Sequence, residues 1–299
     1  MRLLARLLPG VVAKPDGELI QRSMVWSLIL RDLSEGDEIS RTCAAACALE
    51  VCEGGWATAE EPKTEQLADA IVSALGSAVK TSSSPAGLPL LLAICRLLEA
   101  EDEHSAARAL LGSERQKQAG QSPVHTLASL LAFWLPKGVM PNAAVADKGA
   151  ATAAAMALKS LSELEAPLPF REMRELMVCG QSTSAEQALR DACTAALLLS
   201  VESENQPQQL AHLFATSVGK GRDSEERLAD ISVLHAIALR IVHLLRSSQG
   251  QATEVLVASL KRAEVLIPDE PKERTTPVRA LLGEAYGFIG QAPQHSLSR

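Results

Sequence analysis

Residues 223–250 read DSEERLADISVLHAIALRIVHLLRSSQG, and the spacing of the apolar residues in this stretch decides the fold class. Leu228, Ile231, Leu234, Ile237, Ala238, Ile241, Val242, Leu244 and Leu245 recur at helical intervals. At about 100° per residue, Ser232, Arg240, His243 and Ser247 gather into one narrow polar stripe. Asp223 with Glu226 forms a cap-and-third-residue pair at the start, and Gly250 stands where a terminating glycine belongs. A helix apolar over most of its circumference needs neighbours on several sides, unlike a helix lying on the surface of a sheet.

Working outward, the rest of the chain repeats this kind of segment. Of 299 residues, 47% are hydrophobic but only 3% aromatic, so the apolar content is carried by Ala, Leu and Val. Ala and Leu favour helix, and small residues let helix backbones approach closely. Period-two runs of β-branched and aromatic residues are scarce. The composition predicts an all-α fold.

Gly and Pro punctuation divides the chain into roughly a dozen helices with short links. Expected helices run over 17–33, 37–52, 64–80, 88–100, 101–118, 124–135, 142–165 and 170–179. The second half continues with 185–201, 207–218, 223–250, 252–267 and 277–289. Gly180 is expected to end the 170–179 helix, and Ser182 or Ser184 to cap the next. Asp269 to Thr276 is expected as a charged loop, with Pro277 starting the last helix. Trp26 and Trp134, in apolar helices, are expected in the core, whereas Trp56 follows Gly54 and Gly55 in a loop. Helix pairs recur at about 40 residues, the period of helical-repeat arrays. The expected organisation is one helical repeat domain over 1–290, read as a segment of a longer array, with a polar flexible tail at 291–299.

The Ala/Leu/Val-rich texts ISRTCAAACALEVC at 39–52 and AATAAAMALKSL at 150–161 resemble armadillo/HEAT-type α-solenoid proteins. That resemblance implies a right-handed α-solenoid of stacked antiparallel helix pairs, with a concave or lateral surface that binds other proteins. The last helix, VRALLGEAYGFIG at 278–290, is similar to a tetratricopeptide helix through Leu282, Gly283 and Tyr286.

Charge and cysteine content narrow the function classes. The net charge is −7, with 36 acidic against 29 basic residues, which argues against direct nucleic-acid binding through a basic surface. Six cysteines (Cys43, Cys47, Cys52, Cys95, Cys179 and Cys193) fall mostly within Ala/Leu-rich runs, as reduced, buried thiols of an intracellular protein do. No apolar run reaches the roughly 20 residues needed to span a bilayer. The opening MRLLARLLPGVVAKPDG carries Arg2, Arg6 and Lys14 before its first acid, Asp16. It fits either a short first helix of a cytoplasmic or nuclear protein or the start of a mitochondrial presequence.

The search for chemistry returns little. His235 and His243 lie eight residues apart on the 223–250 helix without a carboxylate at i±3 or i±4, and no HExxH pattern occurs. Cys43, Cys47 and Cys52 lack the further ligands that zinc requires. His104, after Glu101, Asp102 and Glu103, reads as a solvated turn. Gly219 to Arg222 lacks the glycine and preceding strand of a phosphate loop, and Gly180 to Ser184 lacks the second glycine of a nucleophile elbow. No residue is assigned a catalytic, cofactor-binding or metal-ligating role, and no cofactor is expected. The leading expectation is a non-enzymatic scaffold or adaptor that binds other proteins. The alternatives are an all-α enzyme or ligand-binding domain with His212, His235 or His243 beside a cavity, and an organellar assembly subunit.

Overall fold

The computed structural model describes residues 19–53, 61–81, 85–99, 123–136, 148–164, 168–182, 185–217, 231–247, 256–261, 267 and 272–290. Among these the only regular structure is helix, and no strand occurs. The all-α expectation holds. Two compact units divide the chain, Met1–Leu161 and Ser162–Arg299.

The first unit contains α1 (Leu19–Glu35), α2 (Glu38–Glu53), α3 (Glu61–Thr81), α4 (Gly87–Glu99) and α5 (Pro123–Ala132), and α6 (Lys148–Glu163) begins in it. Helix α1 packs on α2 and α3, α4 packs on α2 and α3, and α3 also meets α5. Pairing therefore runs first with second, third with fourth, first with third and second with fourth. A lesser contact joins α2 to α3. Alanine is prominent in these contacts. Ala44, Ala45, Cys47, Ala48 and Val51 of α2 are all fully buried. Helix α4 is apolar on nearly every side, and Leu90, Leu91, Ala93, Ile94, Cys95, Leu97 and Leu98 are buried. The Cys95 thiol donates to the Ala153 carbonyl at 3.3 Å, tying α4 to α6.

Two glycines in this unit are there for steric reasons. Gly36 ends α1 with its N–H on the Asp32 carbonyl at 3.1 Å, and a Cβ added there would lie 2.3 Å from that same oxygen. Gly87 starts α4 beneath the Trp134 indole, where a Cβ would lie 2.2 Å from a ring carbon. Trp26 and Trp134 are both buried, as their apolar settings predict. Trp56 and the polar helix expected over 101–118 lie outside the described residues.

The second unit holds α7 (Phe170–Gln181), α8 (Gln187–Ser203), α9 (Pro207–Ser217), α10 (Ile231–Ser247) and α11 (Lys272–Gly290), with a short helical stretch at 256–261. Its pairing order repeats that of the first unit: α7 with α8, α9 with α10, α7 with α9, and α8 with α10. Helix α10 additionally packs on α11. The stretch whose periodicity demands neighbours on several sides thus meets α8, α9 and α11. Val233, Leu234, Ile237, Ala238, Ile241, Val242, Leu244 and Leu245 are buried, while Ser232, His243 and Ser247 of the polar stripe are exposed. Asp223, Glu226 and Gly250 lie outside the described residues.

Several boundaries differ from the expected ones: α3 begins at Glu61 rather than 64 and takes in Pro62, α5 ends at Ala132 rather than 135, and three further differences turn on glycine, serine and proline. Helix α7 passes through Gly180 to Gln181, because this glycine serves a close approach between helices rather than a terminus. Helix α8 starts later than expected, with extended Glu186 at its boundary and no side-chain cap hydrogen bond from it; Ser182 lies four residues before that boundary, and Ser184 lies outside the described residues. Helix α11 begins at Lys272 with Pro277 inside it. At its sixth position this proline removes a single early backbone bond, which a helix start tolerates better than an interior does.

Candidate functional site

The sharpest polar geometry lies in the second unit. Helix α10 reaches the link between α8 and α9 through Arg240, whose Nε donates to the Glu204 carbonyl and Nη2 to Asn205 Oδ1, both at 3.1 Å. Glu204 is itself buried, and its Oε1 accepts the backbone N–H of Asn205 and of Gln206 at 2.8 Å each. The carboxylate satisfies the amides of the two link residues that precede α9, and the guanidinium also holds this link. Nearby, buried Ser200 Oγ accepts the Leu168 N–H at 3.0 Å, fixing the entry to α7 on α8. These are positioning contacts within the fold.

His212, His235 and His243 lie on two helices. His212 on α9 is exposed and stacks its ring on Phe170 of α7, centroid to centroid 4.7 Å at 32°. His235 is half-buried and His243 exposed, both on α10. Among the described residues no group of three or more His, Cys, Asp or Glu is placed to hold a metal ion. His104 and the Gly219–Arg222 segment lie outside the described residues.

A shallow cleft of about 470 Å³ opens at the α7–α8 junction, lined by Gly180, Gln181, Gln187, Arg190, Asp191, Thr194, Ala195 and Leu198. Its charged groups are engaged along α8: Arg190 Nη2 donates to Gln187 Oε1, and Gln187 Nε2 donates to Asp191 Oδ1 at 2.6 Å. The floor is set by Gly180. A Cβ added there would lie 2.9 Å from Thr194 Oγ1, 3.5 Å from the Thr194 nitrogen and 3.6 Å from the Arg190 carbonyl oxygen. A Cβ here would press on the Thr194 hydroxyl, while the α8 backbone would stand at ordinary contact distance.

The cysteines follow the expectation of free thiols, and Cys47, Cys95, Cys179 and Cys193 are buried, with Cys43 and Cys52 half-buried. Burial, with Cys43 beside it, pushes the Cys47 thiol up to about 11. Burial likewise pushes Cys95 up to about 12. Cys179 and Cys193 behave differently because they face each other between α7 and α8. The hydrogen bond from the Cys193 thiol holds Cys179 below its ordinary value and pushes Cys193 up. The sequence sets the cysteines mostly within Ala/Leu-rich helical runs but carries no signal that relates Cys179 to Cys193, since 14 positions of chain separate them.

Comparison with protein-family models, with curated proteins and with solved structures finds no match. No helix among the described residues is long and apolar enough to cross a membrane.

Proposed function

We propose that the chain is a non-enzymatic helical-repeat scaffold or adaptor, each unit being a short armadillo/HEAT-type stack of helix pairs that binds other proteins. The observation that carries this reading is the shared order of helix packing. In an up-and-down four-helix bundle every helix lies beside the next, so the second would pack mainly on the third. Here α1–α4 and α7–α10 both place the first helix on the third and the second on the fourth. Stacked helix pairs produce that order, because each pair lays its two members on the equivalent members of the next. Two layers of helices then run through a unit, and the outer faces of the layers are available to partners.

The test is affinity capture of the tagged chain from native extract at moderate and at high salt, read by mass spectrometry, followed by reconstitution. A scaffold yields a partner that persists in both salts and forms a complex of defined stoichiometry with the purified chain. A chain that stays alone, or partners that fail to reconstitute, would overturn the adaptor reading.

A further inference from the structure

We propose that Thr276 is a phosphorylation site for a proline-directed protein kinase, and that its phosphate draws Arg279 away from the Ile267 carbonyl. The acceptor sequence is Thr276-Pro277-Val278-Arg279. A kinase pocket that offers no acceptor to the N–H of the next residue selects proline there, because proline has none to leave unpaired. An anionic group farther along the kinase then takes a cation three positions past the acceptor. Two other hydroxyl residues precede a proline, Ser84 and Ser122, but Gly87 and His125 stand at their third positions.

The fold turns this motif outward. On α11 Thr275 and Val278 are buried, whereas Thr276, Pro277 and Arg279 are exposed. Acceptor, proline and cation are thus all open to a kinase, and the neighbouring Thr275 is not. Pro277 cannot return a helical backbone bond to residue 273, so the turn carrying Thr276 opens more readily than the rest of α11 into the extended form a kinase site takes. In the transfer, Thr276 Oγ1 attacks the γ-phosphorus of magnesium-bound ATP, the bond to the β–γ bridging oxygen breaks, and ADP leaves. The hydroxyl proton passes to the aspartate base of the kinase. Residues three apart on a helix are neighbours, which brings the new phosphate within reach of Arg279. That guanidinium donates from Nη2 to the neutral Ile267 carbonyl at 3.1 Å. A phosphate dianion is the stronger acceptor and takes it.

The experiment incubates the folded, full-length chain with magnesium-ATP and a purified cyclin-dependent kinase shown to be active on a histone substrate, then maps phosphate by mass spectrometry. The expected product carries phosphate on Thr276, which Thr276→Ala removes. Arg279→Ala should slow the initial rate about tenfold, the effect of one charged hydrogen bond lost to the kinase. Far-ultraviolet circular dichroism checks that the variants fold, and the wild-type map decides the matter where one does not. A phosphorus-31 titration then reads the capture of Arg279: the second ionisation of the phosphothreonine should fall at lower pH in the wild-type sequence than in phosphorylated Arg279→Ala. Phosphate on Ser84 or Ser122 in place of Thr276, or none on Thr276, would overturn the site. Equal titrations of the two phosphorylated chains would overturn the capture of Arg279.

Discussion

Alanine at position 87 tests whether the Trp134 indole is seated on the first residue of α4. An added Cβ would lie 2.2, 2.6 and 2.9 Å from three ring carbons of Trp134. Unstrained carbon contacts fall near 3.5–4.0 Å, so the nearest must open by more than about 1 Å. The indole has little room to move: it is 4% exposed and meets Phe133 edge-on, with centroids 6.3 Å apart. Overpacking of this kind costs about 1–3 kcal/mol. Against it stands the helix preference of Ala over Gly, at most about 1 kcal/mol in a helix interior and less at a first residue. Gly87→Ala should therefore destabilise the first unit by about 1–2 kcal/mol. All three tryptophans, Trp26, Trp56 and Trp134, belong to the Met1–Leu161 unit, so tryptophan emission during urea unfolding reports on that unit. The midpoint should fall with little change in slope. Trp134→Leu is costly by itself, yet it should remove most of the further cost of Gly87→Ala, giving a coupling above about 0.5 kcal/mol. An unchanged or raised midpoint for Gly87→Ala, or strictly additive effects, would refute the reasoning.

Ser200→Ala leaves the buried Leu168 N–H without its acceptor and should cost about 1–3 kcal/mol, measured by thermal unfolding followed by circular dichroism. Arg240→Ala should free the 204–206 link at a cost of about 1 kcal/mol, seen as faster amide exchange at Asn205 and Gln206. Asp37 accepts the Ser40 N–H at 2.7 Å, and this backbone hydrogen bond, above all, holds its carboxyl below the ordinary range. Because the folded pKa is the lower one, this contribution is fully present above the unfolded value of about 4 and disappears as pH falls through the folded pKa. Exchange at the Ser40 amide should quicken across that acid window relative to neighbouring amides, and Asp37→Asn should flatten the dependence. Arg246, paired with Glu284 and lying 5.7 Å from the Phe288 ring centroid, is mostly exposed. Glu284→Gln should change stability by less than about 1 kcal/mol, with the difference shrinking at high salt.

Composition and apolar periodicity by themselves determined that the chain is helical, where most of the helices lie and which side chains are buried. These are local quantities: helix preference is a property of each residue, and burial of one face follows from a 3.6-residue period. The 231–247 segment shows how far that reaches, since its polar stripe and its need for several neighbours were both readable before any partner was known. Glycine and proline were less legible. A glycine that ends a helix and a glycine that admits another helix look alike in sequence, which is why Gly180 read as a terminus. Pro277 likewise read as a helix start, although the preceding turn is helical. Only the tertiary structure decided which helix lies on which, that Gly87 lies under Trp134, that Arg240 holds the α8–α9 link, and that Cys179 faces Cys193. Each depends on the distance between two helices, and that distance is set by side chains remote from one another in the chain.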